Sequence, residues 1–308
     1  MKTTLVVDIG GTSTKIGFVV DKVPHDYVRI FPTLELRCDE PVGALARMIS
    51  AAIRESRLKP EAILSTVPGF LDTKEDRVLY AANIPELNGC PLADALGQLT
   101  GLRVVLERDA VLALIGEYLA GVCQGANSVL GLFFGTGIGG AFLQSGLPFR
   151  GSGWALEIGH MPFHGIRRWV GSERNDCLEA YVSGQALQAI AQHHRVPIGE
   201  VFTASALRLE LYSDLREFVK NQAFAVASAI AILSPETVVI GGGICEMPGF
   251  PRAELESELE ERFPFVHTGR SLDLRWASLG WRSVLYGAGF SVENKQQERQ
   301  RASYGERA

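Results

Sequence analysis

The feature that most constrains this chain is a glycine–threonine turn that occurs twice, each time between apolar runs. Val7-Asp8-Ile9-Gly10-Gly11-Thr12 leads into Lys15–Val20, and Phe134-Gly135-Thr136-Gly137-Ile138-Gly139-Gly140 leads into Ala141–Leu143. The repeat reads as strand, turn, strand. A dinucleotide-binding loop opens a helix instead, so these turns are of another kind. Glycine at a strand end leaves backbone N–H groups bare to an anion, and a threonine hydroxyl adds a donor. Either turn taken alone is equally well read as a plain tight turn.

More short apolar runs read as buried strands: Leu5–Val7, Ile16–Val20, Ile63–Val67, Val104–Leu106, Val129–Phe134 and Val238–Ile240. Between them, Leu45, Met48, Ile49, Ala52 and Ile53 line one helical face, and Val111, Leu112, Ile115 and Leu119 line another. Strands alternating with helices indicate an α/β fold. A length of 308 residues fits two domains at about 100–200 residues each. The expected division is 1–109, 110–292 and a polar tail over 293–308. The apolar run Ala223–Leu233 reads as a buried helix stopped by Ser234-Pro235, too short to span a bilayer.

A formal net charge of -5 argues against nucleic acid as the main partner, since tracking phosphates needs a basic excess. The five cysteines are scattered and odd in number, which fits reduced thiols in a cytoplasmic protein. The first strand begins near Thr4 with no charged-then-apolar leader before it. Neither a membrane nor a nucleic acid is expected as a partner.

A third glycine cluster, Gly241-Gly242-Gly243, follows the run Val238–Ile240. Three such clusters at strand ends favour nucleotide loops over plain turns. Read so, Asp8, Gly10, Gly11 and Thr12 clamp nucleotide phosphates from one side, and Thr136 and Gly137 from the other. Asp8, at the mouth of the first loop, is placed to hold Mg²⁺, usually through water. Gly242 and Gly243 let an adenosine lie flat against bare backbone. Asp109 follows the strand Val104–Leu106 at the start of an apolar-faced helix, where aspartate is commonly an N-cap. His160 by itself reads as a hydrogen-bonded core histidine.

The ordered set of motifs carries a family likeness. It runs Asp8-Ile9-Gly10-Gly11-Thr12, Val67-Pro68-Gly69, Asn83-Ile84-Pro85, Arg108-Asp109 and Gly135–Gly140. It continues with Glu157-Ile158-Gly159-His160, Cys177-Leu178-Glu179 and Gly241–Gly243. From Asp8 to about Gly289 the chain resembles the ROK family of bacterial sugar kinases and sugar-responsive repressors. The segment from Gly241 to Arg252 is most similar to the D-allose kinases of that family. The resemblance implies an α/β fold of two actin-like (ribonuclease H-like) domains with an interdomain active-site cleft. It implies ATP against the second domain and the sugar near the hinge. It makes Asp109 the catalytic base, and Glu157, His160 and Glu179 the grips on sugar hydroxyls, with Gly69 and Asn83 near the sugar. Such a site suits a sugar, whose many hydroxyls each donate and accept. Carboxylates there make the stronger, charge-assisted bonds. The implied activity is ATP- and Mg²⁺-dependent phosphorylation of a hexose hydroxyl, the 6-OH, on D-allose or a related hexose. Family habit implies a homodimer.

Three departures from the family pattern follow. Many members carry a zinc site of one histidine and three downstream cysteines. Here those positions hold His160, Val170, Ser172 and Cys177. Two ligands do not close a tetrahedral site, so no structural zinc is expected. The stretch from His164 to Asp176 would then be held chiefly by burial of Trp169, with ion pairs from Arg167, Arg168, Glu173, Arg174 and Asp176. Arg108 stands where the family has asparagine, and an arginine there favours the ionised carboxylate of the base. Ser13 stands where the family has lysine, with Lys15 two positions on. These changes keep open a second reading, a catalytically impaired sugar-binding sensor. A DNA-binding regulator is disfavoured, because no helix-turn-helix precedes the first strand and no basic face is evident.

Overall fold

The computed structural model describes residues 2–72, 76–81, 83–163, 177–263, 269 and 271–292. The chain forms two compact units. One comprises the chain to Gly121, the stretch Arg150–Trp154 and the chain from Trp281; the other comprises Val122–Phe149 and Ala155–Gly280.

In the first unit, β1 (Thr3–Ile9), β2 (Ser13–Val20) and β3 (Val23–Pro32) form an antiparallel meander. Helix α1 (Pro41–Ser56) then carries the chain to β4 (Ala62–Thr66), which lies parallel to β1. A hairpin of β5 (Phe70–Asp72) and β6 (Arg77–Tyr80) follows. Helix α2 (Leu92–Thr100) leads to β7 (Arg103–Glu107), parallel to β4, and α3 (Asp109–Ala120) follows at once. The strand order is β3-β2-β1-β4-β7. Leu45, Ile49 and Leu96 of the helices share one core with Leu5, Val7 and Ile63 of the strands. Strand β4 is buried along its whole length, which is why Ala62-Ile63-Leu64 are apolar without alternation. The buried Ser65 and Thr66 hydroxyls that follow donate to the Thr66 carbonyl and to Asp8.

The second unit repeats the plan. Strands β8 (Ser128–Phe134), β9 (Ile138–Gln144) and β10 (Leu147–Pro148) form the antiparallel meander. Helices α4 (Glu179–Val182), α5 (Gly184–His193), α6 (Val201–Ser205) and α7 (Leu209–Leu233) intervene before β11 (Thr237–Gly241). Helix α8 (Arg252–Arg262) precedes β12 (Asp273–Trp276). The order β10-β9-β8-β11-β12, with β11 parallel to both β8 and β12, matches the first sheet strand for strand. The strand–turn–strand echo in the sequence is thus the start of a duplicated α/β unit of ribonuclease H-like topology. Helix α7 extends well upstream of the apolar run Ala223–Leu233. Its first half is amphipathic, burying Leu211, Leu215, Phe218 and Val219, and so escapes a search for continuous apolar sequence. Its end is as read: Ser234 takes a left-handed φ of 47° and donates its N–H to the Ile230 carbonyl.

The division of the chain differs from one at residues 109/110. Helix α3 stays with the first unit, and the chain returns there through a helix over 282–292. The reason is close backbone contact at two glycines. A Cβ on Gly116 would lie 2.0 Å from the Ser283 carbonyl oxygen, and one on Gly287 would lie 2.1 Å from that of Leu112. Only bare glycine lets the two helices approach so closely. Among the described residues no helix is long and apolar enough to cross a membrane, and none of the cysteines is joined in a disulfide.

Gly287→Val tests this helix crossing. The branched side chain meets a backbone carbonyl that cannot swing aside, so stability should fall by about 3 kcal/mol, the upper end for overpacking. Urea unfolding measures it. A change below about 0.5 kcal/mol would show that the crossing is looser than described.

Candidate functional site

In the first unit the site grows from one row of the sheet. The parallel register sets Asp8 of β1 beside Thr66 of β4, and Thr66 beside Glu107 of β7. On the other flank Lys15 of β2 stands opposite Asp8. Thr66 donates its hydroxyl to Asp8 Oδ1 at 2.8 Å and accepts the Ile9 amide at 3.1 Å. Asp8's carboxyl is pushed up to about 6 by burial and then by the charge of Asp109; Thr66, Lys15 and Trp281 pull it back in part. Lys15 Nζ also sits 5.7 Å from the centre of the Trp281 ring, within cation–π reach. The lysine missing at Ser13 is thus matched in charge by Lys15, which the strand register directs to Asp8. The turn after β1 is tied down by the Gly10 amide donating to the Ser13 carbonyl at 3.0 Å and by Thr33 Oγ1 donating to the Gly10 carbonyl at 2.8 Å. Gly10 and Gly11 are half-buried and Thr12 is exposed.

Asp109 is not an N-cap. Arg108 holds that position, and Asp109 is the first helical residue of α3, with its Oδ1 accepting the Ala110 amide at 2.7 Å. It is exposed, whereas Arg108 before it is buried. The positive end of the helix dipole favours a carboxylate there. Just before it, Glu107 is fully buried and ion-paired on both oxygens to Arg150, at 2.9 and 2.7 Å. Glu107 Oε1 also accepts the Arg108 amide at 2.9 Å. This pair fixes the turn that presents Asp109 and pins the stretch Arg150–Trp154 to the first unit. The far end of that stretch is held by Trp154, whose ring meets Phe70 edge-on with centres 5.5 Å apart. Sequence reasoning missed the pair. Its partners lie 43 positions apart, and no local pattern links them.

Gly69 has φ +141°, and a Cβ there would lie 2.0 Å from the Tyr80 carbonyl oxygen. Glycine is required at this point for the hairpin β5–β6 to close on its own entry. Asn83 is half-buried, and its carbonyl accepts Arg37 Nε at 2.8 Å. Gly69 and Asn83 both belong to the first unit, with Asp8 and Asp109.

In the second unit the other two glycine clusters meet. Gly242, with φ +97°, lies against Phe134, the last residue before the Gly135–Gly140 loop; a Cβ on Gly242 would fall 2.3 Å from the Phe134 carbonyl oxygen. That carbonyl accepts the Ile244 amide at 3.1 Å. Gly243 and Gly135 have open space where a side chain would be, and Thr136 is exposed. Glu179 begins α4, and its Oε2 accepts the Ile138 amide at 3.1 Å. Its neighbours include Gly159, where a Cβ would lie 3.3 Å from the same oxygen. Glu157 and His160, both half-buried, flank Gly159 in a single short turn. That turn is joined to the chain before α4 by the Leu178 amide donating to the Met161 carbonyl at 2.9 Å. Glu157, His160 and Glu179 thus lie on linked turns beside the Gly135–Gly140 loop. Cys177 pairs with Pro162 in an isolated bridge. His164, Trp169, Val170 and Ser172 lie outside the described residues.

Two sheets of the same topology, each with glycine turns at its strand ends and with carboxylates beside them, define the actin-like ATPase class. A family model described as the ROK family matches residues 4–294, and the chain belongs to that family. N-acetyl-D-glucosamine kinase of Escherichia coli O127:H6 (strain E2348/69 / EPEC) is 28% identical over 278 residues, spanning 83% of this chain and 88% of that protein. Among solved structures, a ROK hexokinase from Thermus thermophilus matches with a TM-score of 0.75 and 29% identity, covering 96% of this chain and 99% of that one. A ROK family glucokinase from Streptomyces griseus, in complex with glucose and AMPPNP, matches with a TM-score of 0.76 and 26% identity, covering 93% of this chain and 98% of that one. Each of these three is named as a sugar kinase.

Asp8 carries a stability cost that its raised carboxyl makes measurable. The folded value of about 6 lies above the ordinary 3.8, so the native state disfavours the ionised form. The cost is absent below about pH 4 and complete above about pH 6, to at most about 3 kcal/mol. Asp8→Asn in metal-free buffer should therefore raise the melting temperature at pH 8, with the gain fading toward pH 4. A lowered melting temperature at pH 8 would contradict this.

Proposed function

We propose that this protein is an ATP-dependent kinase that phosphorylates the 6-hydroxyl of a hexose, with Asp109 as the general base. The observation that carries the reading is the exposed Asp109 at the start of α3, electrostatically coupled to the half-buried Asp8. In this reading one carboxylate takes a proton from substrate, and the other stays in the sheet. Asp109 accepts the hydroxyl proton as the hydroxyl oxygen attacks the γ-phosphorus. The bond to the leaving β-phosphate oxygen breaks, giving ADP and the sugar phosphate. Most of the rate comes from positioning and electrostatics, as is general for phosphoryl transfer.

Glu157, His160 and Glu179 grip the sugar hydroxyls, with Gly69 and Asn83 beside the sugar. Gly10, Gly11, Thr12, Thr136 and Gly137 offer amides and hydroxyls to the phosphates, and Gly242 and Gly243 lie along the adenosine. Mg²⁺ fits the residues present, since Asp8 lies where the charge of Asp109 already makes a second negative charge unfavourable, and a cation relieves that. Asp8 would hold the ion, which supplies neutralisation of phosphate charge. The sugar-binding sensor is the second outcome of the same test. D-allose is the first candidate substrate, on the likeness of the segment Gly241–Arg252. Glucose and N-acetyl-D-glucosamine join it in the assay because relatives bear those names. A cytoplasmic homodimer completes the reading.

A coupled assay over aldohexoses, ketohexoses and N-acetylhexosamines tests the activity. Wild type should turn over at least one of them, and Asp109→Asn should lose about 10²–10⁴-fold while keeping its melting temperature. Activity within threefold of wild type in that variant would remove Asp109 as base. Sugar binding without turnover in wild type would favour the sensor.

The reading includes no structural zinc, because valine cannot ligate and a neutral serine is a poor zinc ligand beside a thiolate. Purified protein should hold no stoichiometric zinc by elemental analysis and should melt at the same temperature in chelator. A zinc-bound protein that melts well below its normal temperature once stripped would overturn it.

A further inference from the structure

The Gly135–Gly140 loop already contains an anion, and that anion is part of the chain. Glu179 Oε2 accepts the Ile138 amide at 3.1 Å. A Cβ on Gly137 would lie 2.2 Å from this oxygen and 3.1 Å from the carboxyl carbon. The bare glycine is what admits the carboxylate into the turn. From the other side Gly159 approaches the same oxygen, with a Cβ position 3.3 Å away. The loop is in turn tied to the helices that Glu179 opens, since the Gly184 amide donates to the Gly135 carbonyl at 2.8 Å. A loop whose amides suit a phosphate thus gives one of them to a carboxylate.

We propose that Glu179 is an exchangeable occupant of the phosphate loop: without sugar it holds the Ile138 amide against nucleotide, and sugar draws it away. The inference rests on reading Glu179 as a sugar ligand and Gly135–Gly140 as a phosphate loop. One amide cannot serve a carboxylate and a phosphate oxygen together, and the two anions repel at this range. Sugar hydroxyls are donors, and each can replace the amide as partner to the carboxylate. The exchange therefore conserves hydrogen bonds. Glu179 trades an amide for a hydroxyl, and the amide trades a carboxylate for a phosphate. The two ligands must then strengthen each other by the same factor, because linkage is reciprocal. A nucleotide arriving alone meets an occupied loop, which guards against hydrolysis of ATP by water.

The test is calorimetric titration with AMPPNP and Mg²⁺, with and without a saturating sugar that the wild type phosphorylates. Wild type should bind AMPPNP about tenfold more tightly with sugar present, within the usual range of coupling. Glu179→Gln removes the charge, and Glu179→Ala removes the occupant. Either should bind AMPPNP without sugar about as tightly as wild type does with it, and should hydrolyse ATP faster without sugar. If Glu179 serves the sugar alone, both variants lose sugar affinity and keep the sugar-free AMPPNP affinity of wild type, which overturns the proposal. Equal AMPPNP affinity of wild type with and without sugar overturns it too, and needs no variant to fold. Phosphorylation of no sugar by wild type would sink the kinase reading itself. Phosphorylation without coupling sinks only this inference.

Discussion

The register of the first sheet decides where its chemistry can stand. Asp8, Thr66 and Glu107 share one row across β1, β4 and β7, and Lys15 flanks Asp8 in β2. A slip of one residue would turn every side chain of a strand to the opposite face. Leu5, Val7 and Ile9 of β1 are all fully buried in one core, so such a slip would take them out of it. The apolar alternation therefore holds the polar row in place at the carboxyl ends of three parallel strands, where α/β sheets usually bind ligands. From the ends of those strands spring the Gly10–Gly11 turn, the Val67-Pro68-Gly69 turn and Asp109.

The row is electrostatically costly, and the surroundings show how the cost is met. Glu107 is fully buried, and its charge is matched by both nitrogens of the Arg150 fork and by a backbone amide. Losing one partner of such a buried pair typically costs about 3–5 kcal/mol, so the stretch Arg150–Trp154 belongs energetically to the first unit. That explains a chain path that otherwise looks odd, in which five residues leave the second unit and return. Asp8 is treated differently. It receives a hydroxyl and a nearby lysine but no bidentate partner, and its carboxyl stays high. The structural carboxylate has an arginine on both oxygens, with its hydrogen bonds on Oε1; the carboxylate assigned to function lacks such a partner, and perturbed carboxylates cluster at functional sites.

Every apolar run read as a strand is one, because each is buried by its sheet and carries the composition that burial demands. The glycine turns were legible as clusters at strand ends, and at Gly137, Gly140 and Gly242 a Cβ would collide with a neighbouring atom, whereas Gly135 and Gly243 face open space. What the sequence did not disclose has physical causes. Strand β3 is an edge strand with mostly exposed or half-buried residues, so no apolar run marks it. The α3 crossing with the helix over 282–292 depends on Gly116 and Gly287, and isolated glycines in helices announce nothing about what they touch. The Glu107–Arg150 pair joins distant positions and has no periodicity to betray it. In Asp109 the sequence suggested an N-cap, and the helix begins one residue earlier than that reading needs, with Arg108 as the cap. Glu179 was legible only by family likeness as a sugar ligand; its hold on the phosphate loop is a fact of three dimensions.

Local rules are broken where the second unit has most to gain from it. Leu156 adopts a left-handed φ of 66°, a conformation that costs an ordinary L-residue about 1–2 kcal/mol. A glycine would relieve that cost, yet leucine stands there, immediately before Glu157. The strain is held by packing on the neighbouring loop. The Leu156 carbonyl oxygen lies 2.6 Å from where a Cβ on Gly140 would be, so the backbone of the Glu157–His160 turn rests directly on the end of the phosphate loop. Leu156 also packs against the core of this unit, which a glycine would not. Apolar burial therefore offsets the backbone cost and keeps the turn that bears Glu157 and His160 against the loop that Glu179 enters. Strain kept up by its surroundings in this way is characteristic of functional sites. Here it fixes the spacing between the residues assigned to the sugar and those assigned to the phosphates, without any of them having to supply the stabilisation.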